Sequence, residues 1–331
     1  MSSDLSRAPS GPVGLRPLSI GELFDRAFTI YVRNVLTFAA LLFVVVVPLA
    51  FIQYFMTRDV LDAYMGIFDA ALKHSSTPPD MSKLEASNAL MTPWLGLYYL
   101  LAFLGYPLAN AAVVSGVSRA YLGMPVRFRA CYNDALRRWV AVLILTVLWF
   151  VVFLVVIGFA FFATLLVAVT IGLLSALKTF GIIVGATIGI AFALTAVVLM
   201  IVLYTAFAAS FIACVLENVD PIRAFTLGFT RIFGGGFMWR SVGVAVSIMF
   251  LWIGFALIIY VVGGLAFWFT KSPFAYIGIT QISSVFFIAF AFVLIALYYY
   301  DIRIRREGFD LQLLAEQLAA SAEPGVATKA P

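Results

Sequence analysis

Long apolar runs alternate along this chain with short stretches crowded with arginine. Six runs stand out, at about 35–56, 92–117, 139–168, 182–214, 241–269 and 279–300, and none contains Asp, Glu, Lys, Arg or His. A helix needs about 20 apolar residues to cross the hydrocarbon core of a bilayer, so each run predicts one span. The expected fold is an all-α, polytopic integral membrane protein. Residues 17–315 form its membrane domain, between an N-terminal tail 1–16 expected to be disordered and a C-terminal tail 316–331.

The stretches between runs predict a second kind of element. Ser19 and Glu22 have capping-box spacing, and Leu23, Phe24, Ala27, Phe28 and Tyr31 follow at helical intervals, with Asp25, Arg26 and Arg33 elsewhere. That pattern predicts an amphipathic helix over 17–34 lying in the membrane interface before the first span. Asp220 and Pro221 place an N-cap before a proline at the first helical position, which predicts another such helix. Pro125 stands in the corresponding stretch between the second and third spans. Counted from Pro17, Pro125 and Pro221, an apolar residue follows at plus one (Leu18, Val126, Ile222) and at plus eleven (Phe28, Leu136, Ile232). The chain then reads as three copies of one unit, an interfacial helix followed by a two-span hairpin.

Residues 58–91 form the one long hydrophilic connection, expected to hold one or two short helices broken at Pro78-Pro79. Around Lys178 the sequence leaves open whether 169–181 is an outer turn or a re-entrant piece. In the fourth span Gly181, Gly185 and Gly189 repeat every four residues. They line one helix face and let another backbone approach closely, which predicts a packing seam inside the fold, with an oligomer contact as the rival.

Composition narrows the class further. Hydrophobic residues make up 64% of the chain, charged residues 11%, and the mean hydropathy is +1.07. With both ends inside, Lys and Arg number 16 on the inner side against 5 on the outer. This asymmetry predicts a cell membrane protein with both termini cytoplasmic and 58–91 outside. The net charge of +5 then reflects topology, and nucleic acid is not an expected partner. Cys131 and Cys214 fall near the cytoplasmic side, where no disulfide is expected. His74, the only histidine, lies in the outer loop with scattered carboxylates, too few ligands for a metal site. No catalytic motif is present, and no cofactor is expected. Spans without ionisable groups argue against an ion pump.

The last span ends abruptly at Tyr298-Tyr-Tyr-Asp-Ile-Arg-Ile-Arg-Arg-Glu-Gly-Phe-Asp-Leu311. The tyrosines suit the headgroup level, and Asp301 with Arg305 and Arg303 with Glu307 are i, i+4 pairs that carry the helix into water. Gly308 is positioned to close it in the left-handed conformation, and Asp310 to cap a short helix with Leu311, Leu313 and Leu314 on one side. Two strings, Arg16 to Phe28 and Tyr299, Tyr300, Asp301, Arg303, Arg305, Arg306, Glu307, Gly308, Phe309, Asp310 through Leu311, resemble the bacterial membrane family called the glycerophosphoryl diester phosphodiesterase membrane domain. The resemblance covers about residues 16–315 and implies about six spans. That family takes its name from members fused to a separate phosphodiesterase domain, so the resemblance implies membership and no activity.

Two function classes follow. The first is a non-catalytic membrane module that assembles with, localises or regulates a partner on the cytoplasmic side, using the interfacial helices and the C-terminal motif, with membrane lipids around it. The second is a transporter or scramblase of a lipid or a small neutral or amphipathic solute.

Overall fold

The computed structural model describes residues 16–72, 81–174, 179–308 and 311–312. Among these residues all regular structure is helical: α1 (Ile20–Leu72), α2 (Met81–Tyr121), α3 (Phe128–Leu174), α4 (Thr179–Leu216), α5 (Pro221–Phe233), α6 (Met238–Thr270) and α7 (Pro273–Glu307), with a 3-10 turn at Gly234–Gly236. Six of these, all but α5, are long and apolar enough to cross a membrane. In hydrocarbon a spanning segment must satisfy its backbone internally, which a helix does. The protein is an all-α, multi-pass membrane protein.

The chain divides into two compact units, one made of residues 1–137 and 250–331, the other of Arg138–Met249. In the first unit α1 is central, packed against α2 and α7, and α2 also meets α7. Its contact with α2 is close at Gly105, where a Cβ would fall 2.7 Å from Val45 Cγ1. Edge-on ring pairs, Tyr31–Phe290 and Phe43–Phe286, tie α1 to α7 at centroid separations of 5.6 and 6.4 Å.

The predicted change from interfacial helix to span falls where the sequence put it. Asn34 leaves helical geometry at φ −125°, ψ 16°, and its side-chain amide donates to the Ile30 carbonyl at 3.0 Å. The other boundaries differ. The outer helices expected as separate pieces within 58–91 are extensions of the spans, because α1 continues to Leu72 and α2 begins at Met81. Between Met56 and Leu72 there is no proline and one glycine, Gly66, and propagation costs little once a helix exists. Pro78, Pro79, His74 and Lys178 lie outside the described residues. In the stretch 169–181, α3 runs to Leu174 and α4 starts at Thr179, so both flanks are helical. The stretch 118–138 is mostly helix too. Only Leu122–Arg127 is irregular, Gly123 takes φ +75°, and Pro125 sits in that turn. The amphipathic residues after it are the first turns of α3, continuous with the span.

Burial does not follow the register counted from the prolines. Phe28 and Leu136 are 59% and 55% exposed whereas Ile232 is 1% exposed, and Ile222 is 74% exposed whereas Leu18 is buried. Counting from the residue before each helix (Ser19, Arg127, Asp220) aligns all three. The fourth and eighth residues on are Leu23 and Ala27, Cys131 and Ala135, Ala224 and Gly228, all buried. The fifteenth is Asn34 at the kink, Val142 inside α3, and Gly235 in the 3-10 turn. Ser19 and Glu22 close their capping box, with Ser19 N donating to Glu22 Oε2 at 2.8 Å and Glu22 N to Ser19 Oγ at 3.2 Å. Asp220 holds the N-cap position, but its side chain makes no capping bond.

In the second unit α5 lies against α4. A Cβ on Gly228 would fall 1.8 Å from Ser210 Oγ and 2.5 Å from the Ala206 carbonyl oxygen, so only glycine admits this approach. Trp149 of α3 fills the adjoining space, stacked on Phe229 with centroids 5.2 Å apart and near Phe225, Phe153 and Phe207. The glycine seam is internal where it is described. Gly185 is buried, and a Cβ on Gly189 would sit 3.3 Å from Val167 Cγ1 of α3. Gly181 is helical, and its packing lies outside what is described.

Two stability predictions follow from these approaches. Gly185→Leu and Gly189→Leu are expected to lower thermal stability in detergent by about 1–3 kcal/mol, the usual cost of overpacking. Gly172→Leu, where a Cβ meets nothing within 4 Å, should be near neutral. Equal losses at 185, 189 and 172 would make the seam accidental. Gly228→Ala should be destabilising, and Ser210→Ala should not rescue it because the Ala206 carbonyl remains in the way; a rescued double variant would refute the close approach.

Candidate functional site

The strongest candidate is a polar joint at one end of the first unit, built where α7 ends. Asp301 is 1% exposed. Such a carboxylate requires partners, because an unpaired buried charge is costly. It has two. The Leu18 backbone N–H donates to Asp301 Oδ1 at 2.8 Å, across 283 residues of sequence. Arg305 Nε donates to both carboxylate oxygens at 3.1 Å, while its Nη2 donates to the Leu18 carbonyl at 2.8 Å. One aspartate and one arginine thus hold both backbone groups of Leu18, just before the Ser19 cap.

The neighbouring tyrosines, Tyr298 to Tyr300, are buried. Tyr300 shares a 2.8 Å hydrogen bond with the Ser118 hydroxyl and stacks on Tyr121 at 4.9 Å. Arg26 of α1 lies 5.1 Å over the other member of that stack, Tyr121. Tyr300 and Tyr121 are thus each held by specific ring and hydroxyl or cation contacts from neighbouring helices.

A second pair lies in the same unit. Asp134, on the first turns of α3, accepts from Ser115 Oγ at 2.7 Å and from Arg119 Nη2 at 2.7 Å and Nε at 3.1 Å, both donors being on α2. Partial burial pushes the Asp134 carboxyl up, but the Arg119 and Ser115 hydrogen bonds and the Arg119 and Arg137 charges outweigh it, so the carboxyl titrates below the ordinary value. In the second unit, by itself, Arg231 of α5 grips Glu217 at the end of α4 with a two-pronged contact of 2.7 and 3.1 Å, both groups being largely buried.

The structure therefore unites some predicted site residues and separates others. Asp301–Arg305 and Arg303–Glu307 form as expected, the latter at 2.9 Å. Gly308 closes α7 in the left-handed region, φ 59°, ψ 39°. Glu22 is bonded to Arg16 and to Ser19 rather than to the C-terminal arginines, and Asp25 is exposed. Arg306 is exposed at the helix end. Phe309 and Asp310 lie outside the described residues, and Leu311 and Gln312 are helical. Leu18, Arg26, Ser118, Tyr121, Arg119, Asp134, Glu217 and Arg231 were not singled out from sequence as site residues. Asp134 carried a usable signal, as the one acidic residue among the five arginines of 118–138.

Chemically the arrangement fastens. Its carboxylates are engaged by guanidinium groups and backbone amides, and among the described residues no three His, Cys, Asp or Glu side chains come together in a way that could hold a metal.

Breaking the joint should cost stability before anything else. Asp301→Asn is expected to destabilise by about 3–5 kcal/mol, as removal of one partner from a buried pair does. Arg305→Lys should also destabilise, because an ammonium cannot reach the carboxylate and the Leu18 carbonyl together. Tyr300→Phe should cost about 1 kcal/mol. Thermal unfolding in detergent measures all three, and a wild-type midpoint for Arg305→Lys would show that the fork geometry is dispensable.

No curated protein and no solved structure matches the chain. A family model described as a domain of unknown function, DUF8558, matches residues 12–329, which takes in all six spans and both strings that meet at Leu18 and Asp301. With nearly its whole length matched, the chain belongs to the DUF8558 family.

Proposed function

We propose that this is a multi-pass protein of the bacterial cell membrane, with both termini cytoplasmic, acting as a non-catalytic module that assembles, localises or regulates a protein partner on that side. The observation that carries this reading is how the ionisable groups near the span ends are used. Asp301, Asp134 and Glu217 are each engaged by an arginine in a joint of the fold, and Glu307 pairs with Arg303 within α7, so these groups serve architecture rather than chemistry. What remains at these ends is surface. Phe28, Val32 and Leu36 are exposed beside Arg33 on α1, Ile222 beside Arg223 on α5, and Arg306 at the end of α7. Apolar residues interleaved with arginines suit a membrane interface and an adjoining protein surface.

The likeness to the membrane domain that accompanies glycerophosphoryl diester phosphodiesterases agrees with such a module, since there the catalytic work belongs to a separate domain. The topology rests on the arginine asymmetry. Within the first unit it is supported by the gathering of Leu18, Arg26, Ser118 and Tyr300 at one end and of Tyr54, Phe55, Trp94 and Phe274 at the other. A second reading, movement of a lipid or neutral amphipathic solute, draws on an apolar groove between α1 and α7.

Two measurements test the proposal. In a Cys-free background, single cysteines at Ser75 and Ser321 are expected to label from opposite sides of the membrane; labelling of both by an impermeant reagent from outside would overturn the topology. For the module, Arg306→Gln spares both the Asp301–Arg305 joint and the Arg303–Glu307 pair. It is expected to leave stability unchanged and to lower recovery of a partner that crosslinks to the wild-type protein in native membranes. If the variant loses nothing while the purified protein scrambles lipid in liposomes, the second reading replaces the first.

A further inference from the structure

At the end of the first unit opposite the polar joint, α1 and α7 enclose a groove of about 350 Å³. Its floor on α1 runs from Phe43 to Phe55, a length of about 18 Å at the helical rise per residue. One leaflet of the hydrocarbon core is about 15 Å deep, half of about 30 Å. The groove is therefore about as long as one leaflet is deep. Most of its wall is apolar, but the polar groups it has are graded along its length. Gln281 lines it and donates to Gln53 Oε1 across the α1–α7 contact, and Tyr54 lines it at the same level. Beyond them, at the boundary of the apolar run, the Arg58 guanidinium lies 5.6 Å over the ring of Phe55, itself a groove residue. Lys271 stands in the turn three residues before Phe274, which lines the groove from α7.

We infer that this groove binds one glycerophospholipid from the leaflet on the side of the 58–91 connection. An acyl chain lies along Phe43, Val47 and Phe51, and the ester region sits beside Tyr54 and the glutamine amides. The phosphate meets Arg58. The order of chemistry matches the order in a lipid: hydrocarbon, then carbonyl acceptors facing amide and phenol donors, then an anion facing a guanidinium. A polar pair such as Gln53–Gln281 is expensive against hydrocarbon, which favours an occupant that brings acceptors to that depth. The inference stands whether or not the cytoplasmic face docks a protein.

Gly278 provides the test, because it lines the groove and a Cβ built there meets nothing within 4 Å. The full chain, purified in mild detergent, is titrated with phosphatidylglycerol or phosphatidylcholine, and retained lipid is counted by native mass spectrometry. Wild type should hold one phospholipid per chain. Gly278→Phe should bind at least about tenfold more weakly. Arg58→Gln should weaken both lipids, and Gly254→Phe, at an exposed α6 position outside the groove where a Cβ also meets nothing, should match wild type. Unchanged binding by a Gly278→Phe protein of wild-type unfolding temperature would overturn the inference. So would an equal loss from Gly254→Phe, or retention of palmitate but neither phospholipid. Should Gly278→Phe fail to fold, Val47→Trp fills the same groove from an exposed position on α1 and is judged by the same criterion.

Discussion

A carboxylate at the end of a membrane helix can keep its charge only if the fold supplies its partners, and Asp301 is where this chain meets that demand. Its side chain is fully buried, and it accepts hydrogen bonds from the Leu18 backbone amide and the Arg305 guanidinium. Because the amide belongs to Leu18, the carboxylate fixes where α1 begins relative to where α7 ends. Arg305 repeats the constraint through the Leu18 carbonyl. Removing one member of such a pair costs about 3–5 kcal/mol, against a total stability of about 5–15 kcal/mol for an ordinary domain. The α1–α7 packing, the Ser19 cap and the buried tyrosines all sit downstream of this contact.

The same demand is met three times by different chemistry. At each place the end of an even-numbered span is fastened to an amphipathic segment: Ser115 and Arg119 to Asp134, Glu217 to Arg231, and Asp301 with Arg305 to Leu18. The charge changes sides from one joint to the next, so a search for identical residues would miss the recurrence. What persists is the buried pair four and eight residues into each helix, small enough at Ala224 and Gly228 for backbones to touch. The joint to the following span varies most. It is a kink at Asn34, an uninterrupted helix at Val142 and a glycine turn at 234–236.

These differences explain what the sequence made legible. The spans were readable because hydrocarbon tolerates no charge, and the Ser19 box, the i, i+4 pairs and Gly308 because their partners lie within one or two helical turns. The glycine ladder was readable because its spacing is the helix's own. Helix ends were misjudged near 58–91 and 118–138, since solubility marks where lipid stops while hydrogen-bond propagation decides where a helix stops. Tyr298–Tyr300 carry the composition of an interfacial belt, whereas the partners of Tyr300, Ser118 and Tyr121, are far away in sequence. Counting from proline failed at the third segment because Pro221 is inside its helix, at the first position, whereas Pro17 and Pro125 precede theirs by three residues.

In lipid the ordinary reading of surface hydrophobicity inverts. The most apolar stretches of α4 and α6 bury only 11% of their residues, against 56% for α7, yet apolar exposure to hydrocarbon is no liability, since helices associate there through close packing and polar contacts. The informative groups are polar ones within the spans. Most are silenced by their own helix: Thr146, Thr164, Thr187, Thr195 and Ser247 return their hydroxyl hydrogens to the carbonyl four residues back. Gln53 and Gln281 differ. Each amide bears two donors and an acceptor, more capacity than the one bond they share, and a glutamine side chain has no such routine return to its own backbone. They stand near the boundary of the apolar run, in the wall of the one described groove that an arginine overlooks. A scaffold that needed only to be inert toward lipid would place leucine at both positions.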